Sequence, residues 1–202
     1  STSGAFLALV GPRTFVPITW LCKKQTAVSH SSTEAEIVSL DAGVRMEGLP
    51  AITLWDQVIK VLNPEAKSIG KFKQQKKPED AMNLLEYLES VDYVPPSIAD
   101  MDPRATLMLL EDNDAVIKMI VKGRSPNLRH VGRTHRVDLD WLFDRITKDP
   151  GIFVKWVGTK EQLGDILTKG SFTAQAWNDL LTLSLMLPAS YRKYIEEQKS
   201  LK

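Results

Sequence analysis

The chain has 202 residues, 43% hydrophobic and 25% charged, which is ordinary for a globular protein of one domain, or of one domain with an appendage. Its net charge of +1 argues against a strongly electropositive nucleic-acid binder but leaves room for local basic patches. Cys22 is the single cysteine, which excludes an internal disulfide and fits a reducing compartment. No apolar run approaches the roughly 20 residues that a membrane span needs.

Residues 4–21 are predicted to form a β-hairpin. Two apolar runs, 4–10 and 14–20, flank the turn residues Gly11-Pro12-Arg13. Pro17 in the second run has no N–H to donate to a ladder, so we expect this strand to be an edge or to carry a bulge.

A helix is predicted over residues 32–47, with carboxylates at its start. Thr33 and Glu36 fit a capping box, in which the hydroxyl and the carboxylate each bond a backbone amide. Glu34 and Glu36 lie about 200° apart around a helix and therefore flank its apolar stripe on opposite sides. Spacing alone favours a capping role for Glu36. The apolar residues of the stripe are Ile37, Leu40 and Val44.

The middle of the chain is the least regular part. Gly48-Leu49-Pro50 is expected to break or kink the helix, after which an apolar helical pattern continues to Leu62. Residues 63–104 are interpreted as an insertion, partly disordered. Its lysine run is expected to be a solvated surface rather than a binding site. Residues 171–202 are predicted to form a C-terminal helical extension without chemistry.

Two carboxylates follow predicted strands in the second half. The continuous apolar run 105–110 predicts a strand buried on both faces, and Glu111-Asp112-Asn113 follows it. A carboxylate just past a central strand is a usual catalytic position in an α/β fold, but a helix-capping Asp is the favoured alternative from these residues alone. Asp165 follows the predicted strand 152–157, where the alternative is a first-turn Asp favoured by the helix dipole.

Several segments resemble the ribonuclease H region of copia-type LTR retrotransposon polyproteins. Residues 20–25, 28–29 and 31–36 are similar to the family's W-S-x-K-K-Q-x-x-V-x-x-S-S-T-E-A-E. Residues 130–138 resemble H-x-R-T-K-H-I-D, with His135 for Lys and Arg136 for His. The stretch 157–169 is similar to V-x-T-x-x-Q-x-A-D-I-L-T-K, with Gly for the usual Ala at 164.

The resemblance implies a mixed α/β, ribonuclease H-like sheet flanked by helices over residues 1–62 and 105–170. It implies hydrolysis of the RNA strand of RNA–DNA hybrids by carboxylates that hold two Mg²⁺ ions, with Mn²⁺ as a substitute. Glu36, Asp112 and Asp165 match three of the family's four metal-binding catalytic carboxylates.

The fourth carboxylate is expected to lie outside this chain. In the family it is an Asp on the first strand, just before K-S-T-S-G, whereas this chain starts at S-T-S-G. With the first strand missing, we expect bare inner sheet edges and an inactive fragment. The implied partners are the RNA–DNA hybrid and the upstream reverse transcriptase domain of the same polyprotein, with no membrane. The implied location is a retroelement particle in the cytoplasm, then the nucleus.

A basic set is the candidate for phosphate contacts under this resemblance. A loop-packing role is the alternative for the histidine at 130, which has no partner at zinc-ligand spacing. Two other classes of function stay open: a degenerate, non-catalytic remnant that binds nucleic acid or a partner, and a helical scaffold in which the matches are inherited but unused. The basic candidates are Lys23, Lys24, His130, Arg133, His135 and Arg136.

Overall fold

The computed structural model describes residues 1–26, 28–70, 103–123, 128 and 131–186, without the side chains of residues 133 and 134. Over these residues the fold is mixed α/β, with two small sheets and a layer of helices. Its strands are β1 (Thr2–Gly11), β2 (Thr14–Lys24), β3 (Leu107–Glu111) and β4 (Ile152–Trp156). Its α-helices are α1 (Ser32–Gly43), α2 (Leu49–Leu62), α3 (Asp114–Lys122), α4 (Val131–His135), α5 (Leu139–Lys148), α6 (Asp165–Thr168) and α7 (Ala174–Leu183).

The first sheet is the predicted hairpin, in which β1 and β2 pair antiparallel around a turn between Gly11 and Thr14. The register shifts at Leu7/Ala8, and Ala8 lies opposite Pro17. Pro17 cannot donate to the ladder, so the irregularity lies where the sequence predicted a bulge.

The start of α1 corrects the predicted capping box. The N-cap is Ser31, whose hydroxyl accepts a hydrogen bond from the Glu34 amide at 3.1 Å. The Glu34 carboxylate reaches back and accepts from the His30 amide at 2.8 Å. The box therefore lies two residues before the predicted one, and Glu36 is left free of capping.

The predicted break after α1 takes the form of a π-helical turn, Val44–Gly48, which leads directly into α2. Pro50 lies in the first turn of α2, where a missing N–H costs no intrahelical bond. A Cβ at Gly48 would lie 2.8 Å from Leu107 Cδ2, so the absence of a side chain lets this turn pack closely on β3.

The second sheet is a parallel pair, with Leu107 of β3 opposite Ile152 of β4. The prediction that this strand is buried on both faces is wrong. Leu107 is buried, but Met108 is 58% and Leu110 is 50% exposed. Among the described residues, helices cover one face of this strand only, and an apolar run does not reveal which faces are covered. The buried core on the helical side includes Ile37, Val44, Val116, Ile120, Leu142, Phe143 and Ile146.

β1 pairs with β2 and β3 pairs with β4, so each sheet has an inner edge without a strand partner among the described residues. The Gln25 amide donates to Ser1 O at 2.9 Å. Because bonded and non-bonded residue pairs alternate along an antiparallel ladder, the amide and carbonyl of Gly4 point away from β2. The Ser39 hydroxyl accepts from the Gly4 amide at 3.2 Å and donates to its carbonyl at 3.4 Å. A side chain from α1 thus satisfies the β1 edge at this point.

A backbone carbonyl at the inner edge of β3 accepts a hydrogen bond from the segment that follows β4. Glu111 O accepts from the Val157 amide at 3.1 Å, so the neighbouring Leu110 carbonyl points away from β4. Gln162 Nε2 donates to that carbonyl at 3.4 Å. Two residues later, Gly164 packs against Gly4 of β1. The segment before α6 therefore contacts both inner edges.

The two flanks of the predicted insertion lie side by side. The Ile69 amide donates to Pro103 O at 2.7 Å, and Arg104 Nε donates to Ala66 O at 2.8 Å. Residues 71–102 are not described, so the disorder predicted for that part of the insertion stays a prediction. The C-terminal extension is helical over α7, while residues 187–202 are not described. None of the described helices combines the length and the apolarity that a bilayer crossing requires.

Candidate metal centre

The carboxylates of Asp112, at the end of β3, and Asp165, at the start of α6, act electrostatically on Glu36 of α1. Burial is the main cause that raises the pKa of Glu36, and the negative charges of Asp112 and Asp165 raise it further. Because both aspartate charges act on Glu36, we call Glu36, Asp112 and Asp165 the acidic site.

Glu36 projects from the first turns of α1 and is half-buried. Because Ser31 and Glu34 cap the helix, no capping hydrogen bond holds Glu36. The local sequence thus leaves this carboxylate available for the acidic site.

Asp112 is not the cap of α3, which was the alternative role from sequence. The N-cap is Asn113, whose Oδ1 accepts from the amides of Ala115 at 3.0 Å and Val116 at 3.4 Å. Asn113 satisfies the first turn, and the half-buried Asp112 carboxylate is left beside the end of β3.

Glu111 is a buried acidic residue at this site that the sequence analysis did not single out. Burial, followed by the charges of Glu36 and Asp112, raises its pKa to about 7, against a lowering by the Asn113 amide. That amide donates to Glu111 Oε1 at 3.0 Å. Its position two residues after Leu109 on a half-buried strand was the available signal, because alternate residues share a face.

Asp165 opens α6 and is mostly buried. Its carboxylate Oδ2 pairs with the ammonium of Lys169, and its carbonyl accepts from the Lys169 amide at 3.0 Å. The charge of Lys169 also lowers the pKa of Glu36, opposite in sign to the two aspartates. A cation of the chain itself therefore lies at the acidic site.

The acidic site has the donor chemistry of a Mg²⁺ site, but its ligands are not assembled. Carboxylate oxygens are the ligands that Mg²⁺ prefers, and a bound cation relieves repulsion among like charges. Across the described ranges, no three His, Cys, Asp or Glu side chains are arranged to hold a metal ion as they stand.

The basic candidates fall into separate groups. Lys23 and Lys24 are exposed at the end of β2, and Arg136 is exposed with a left-handed φ of 57°. His135 is buried, with its side chain 1% exposed and Nε2 2.8 Å from Oε1 of the fully buried Glu34. A side chain enclosed in this way has almost no surface to offer a phosphate, so the phosphate role of His135 stays a prediction. The imidazole of residue 130 and the guanidinium of residue 133 lie outside the description.

Comparison of the chain with models of protein families, with curated proteins and with solved structures found no match. Function is therefore inferred from the motif residues and from the electrostatics of the acidic site.

Proposed function

We propose that this chain is the ribonuclease H-type region of a copia-type retrotransposon polyprotein, which hydrolyses the RNA strand of RNA–DNA hybrids. One observation carries the proposal. The negative charges of Asp112 and Asp165 raise the pKa of Glu36, although long stretches of chain separate these three residues that match the family motifs. Resemblance in sequence does not require this convergence.

In the proposed reaction, Glu36, Asp112 and Asp165 would hold two Mg²⁺ ions, or Mn²⁺ as a substitute. The ions would supply an activated water and would stabilise the departing 3′ oxygen. The three carboxylates would fix the positions of the ions at the scissile phosphate. Three exposed basic side chains would contact the phosphates of the hybrid and so set its register on the protein: Lys23, Lys24 and Arg136.

In the resembled family the fourth carboxylate lies on a further strand, which has no counterpart among the described residues. Two inner edges, at Gly4 of β1 and Leu110 of β3, have backbone groups that such a strand could pair with after Ser39 and Gln162 release them. We therefore expect the 202-residue chain alone to be inactive. The partner in the proposal is the upstream reverse transcriptase domain, in a retroelement particle of the cytoplasm and then the nucleus.

The test is cleavage of a labelled RNA–DNA hybrid by a longer polypeptide that continues upstream. Asp112→Asn should lower the Mg²⁺-dependent rate by roughly 100-fold or more, since a metal ion contributes several kcal/mol and each 1.36 kcal/mol is tenfold. Asp114→Asn is the matched control, because Asp114 is exposed and pairs with Lys118 on α3. Absence of Mg²⁺-dependent cleavage, or equal rates in the Asp112 variant and its control, would overturn the proposal.

A second candidate is a non-catalytic remnant that binds nucleic acid or a partner. The unassembled state of the carboxylates in the described chain favours it. This candidate predicts that the longer polypeptide binds the hybrid in low salt without cleaving it. Replacing Lys23 and Lys24 with Ala should weaken such binding, with a smaller salt dependence, because fewer counterions are released.

A further inference from the structure

The parallel pair of β3 and β4 has an apolar face that the described helices leave exposed. Met108 and Leu110 of β3 lie on the same side as Phe153 of β4, and Met108 is directly opposite Phe153. All three side chains are about half exposed, whereas Leu107 and Ile152 on the other side are buried. We call Met108, Leu110 and Phe153 the open face. An apolar patch of this kind marks a surface that binds another segment or molecule.

The chain leaves its last described helix near one end of this sheet. α7 contacts the 3₁₀ turn Thr159–Glu161, which follows β4 closely in the chain. Because α7 is roughly 15 Å long, residues 187–202 start about one helix length or less from that end of β4. A segment of this length spans about 24 Å as a helix and about 50 Å when extended, against about 17 Å for a five-residue strand. It is therefore long enough to cross the open face.

The sequence of residues 187–202, which we call the C-terminal segment, is complementary to the open face. Lys155 lies beside this face, opposite Leu110, and is exposed. Glu197 flanks the apolar side of the C-terminal segment and has the opposite charge. The apolar residues recur at the spacing of one side of a predicted helix: Leu187, Tyr191, Tyr194 and Ile195.

We propose that the C-terminal segment docks its apolar side on the open face and is the internal cover of the β3–β4 sheet. The removal of apolar surface from water on both partners drives the contact. Attachment to the same chain raises the effective concentration of the segment at the face above that of a separate molecule. The inference depends on burial, reach and sequence pattern, and it is independent of the proposed ribonuclease function.

The experiment measures how fast a thiol on the open face reacts with a maleimide in the 202-residue chain. Cys22 is exposed and is first replaced by Ser, so that Met108→Cys supplies the single thiol. Replacing Tyr191 and Tyr194 with Ser should make this thiol react about ten-fold faster or more, because the cover loses much of its apolar side.

Two controls separate docking from a general effect on the fold. Replacing Arg192 and Lys193 with Ser changes the opposite side of the predicted helix, so it should leave the reaction rate of Met108→Cys unchanged. Val121→Cys reports on another surface, because Val121 is 77% exposed on α3. Its thiol should react at the same rate with or without the two tyrosines.

Three outcomes would overturn the inference. Equal rates at Met108→Cys with and without the tyrosines would mean that the C-terminal segment does not cover the open face. Protection that rises with protein concentration, together with a dimer in sedimentation, would mean that a second copy covers it. Faster reaction at both Met108→Cys and Val121→Cys would mean that the tyrosines support the whole fold rather than this face.

Discussion

Glu34 and Glu36 lie two residues apart on α1 and have opposite surroundings. Glu34 is fully buried, accepts from the His30 amide at 2.8 Å and lies 2.8 Å from His135 Nε2. Glu36 is half-buried among like charges, which together with burial raise its pKa. A carboxylate with strong partners serves the fold. Carboxylates that repel one another gain nothing for the fold, which is typical of a site built for a ligand.

The largest effect should come from breaking the buried pair. His135→Ala leaves the Glu34 carboxylate buried beside a cavity, and removal of one partner of a buried pair typically costs about 3–5 kcal/mol. Urea denaturation at neutral pH would measure this loss in unfolding free energy. His135→Gln, which keeps a donor, should lose less. A loss below about 1 kcal/mol for the alanine variant would mean that Glu34 finds water or another partner.

The second effect concerns Glu111, whose pKa lies at about 7 in the folded chain against an ordinary value of 4.5. The fold disfavours the charged form, so unfolding free energy should fall as pH rises from about 4.5 to 7 and then stay level. The difference corresponds to about 3 kcal/mol at 1.36 kcal/mol per pH unit. Denaturation at pH 5 and pH 8 would measure it.

Glu111→Gln is the variant that isolates this contribution. It cannot ionise, so its unfolding free energy should change less between pH 5 and pH 8, and it should exceed that of the wild type at pH 8. Glu161→Gln is a suitable control, since Glu161 is exposed at the end of the 3₁₀ turn Thr159–Glu161, before α6. Equal pH dependence in Glu111→Gln and the wild type would show that Glu111 ionises without cost.

A third prediction concerns the contact that holds the acidic site to the hairpin. A Cβ at Gly4 would clash with Thr168 Cγ2 and would lie 2.9 Å from Gly164 O, a backbone atom. Gly4→Ala should therefore cost about 1–3 kcal/mol, as overpacking does. Gly170→Ala is the control, because nothing lies within 4 Å of its Cβ position. A cost no larger than the control's would indicate that α6 shifts freely on β1.

The sequence predicted the elements better than their surroundings. The turn at Gly11-Pro12-Arg13 and the irregularity at Pro17 follow from residues that lack a side chain or an N–H, so local chemistry was sufficient. The capping box was misplaced because Ser31/Glu34 and Thr33/Glu36 have identical spacing. Burial of Glu34 against a histidine 101 residues away decides between them, and local sequence does not contain that contact.

For the candidate site, too, the sequence predicted residues better than their surroundings. Motif resemblance supplied residues 36, 112 and 165, since spacing alone favoured capping or helix-dipole roles. Glu111 was missed because its raised pKa comes from burial and from charges on other elements. The two-faced burial predicted for β3 was wrong, because an apolar run is the same whether or not a second layer covers it.

The smallest change in unfolding free energy should come from substitution of Glu36. This substitution should stabilise the chain, whereas loss of the partner of Glu34 should destabilise it. Glu36→Gln removes a charge that burial and two aspartates disfavour, so unfolding free energy at neutral pH should rise. Solvent screening should keep the gain below about 1 kcal/mol. Thermal denaturation with and without Mg²⁺ would test it, because the cation should stabilise the wild type more than the variant. A destabilised Glu36→Gln chain would mean that Glu36, like Glu34, has a favourable partner in the fold, and the contrast between the two glutamates would disappear.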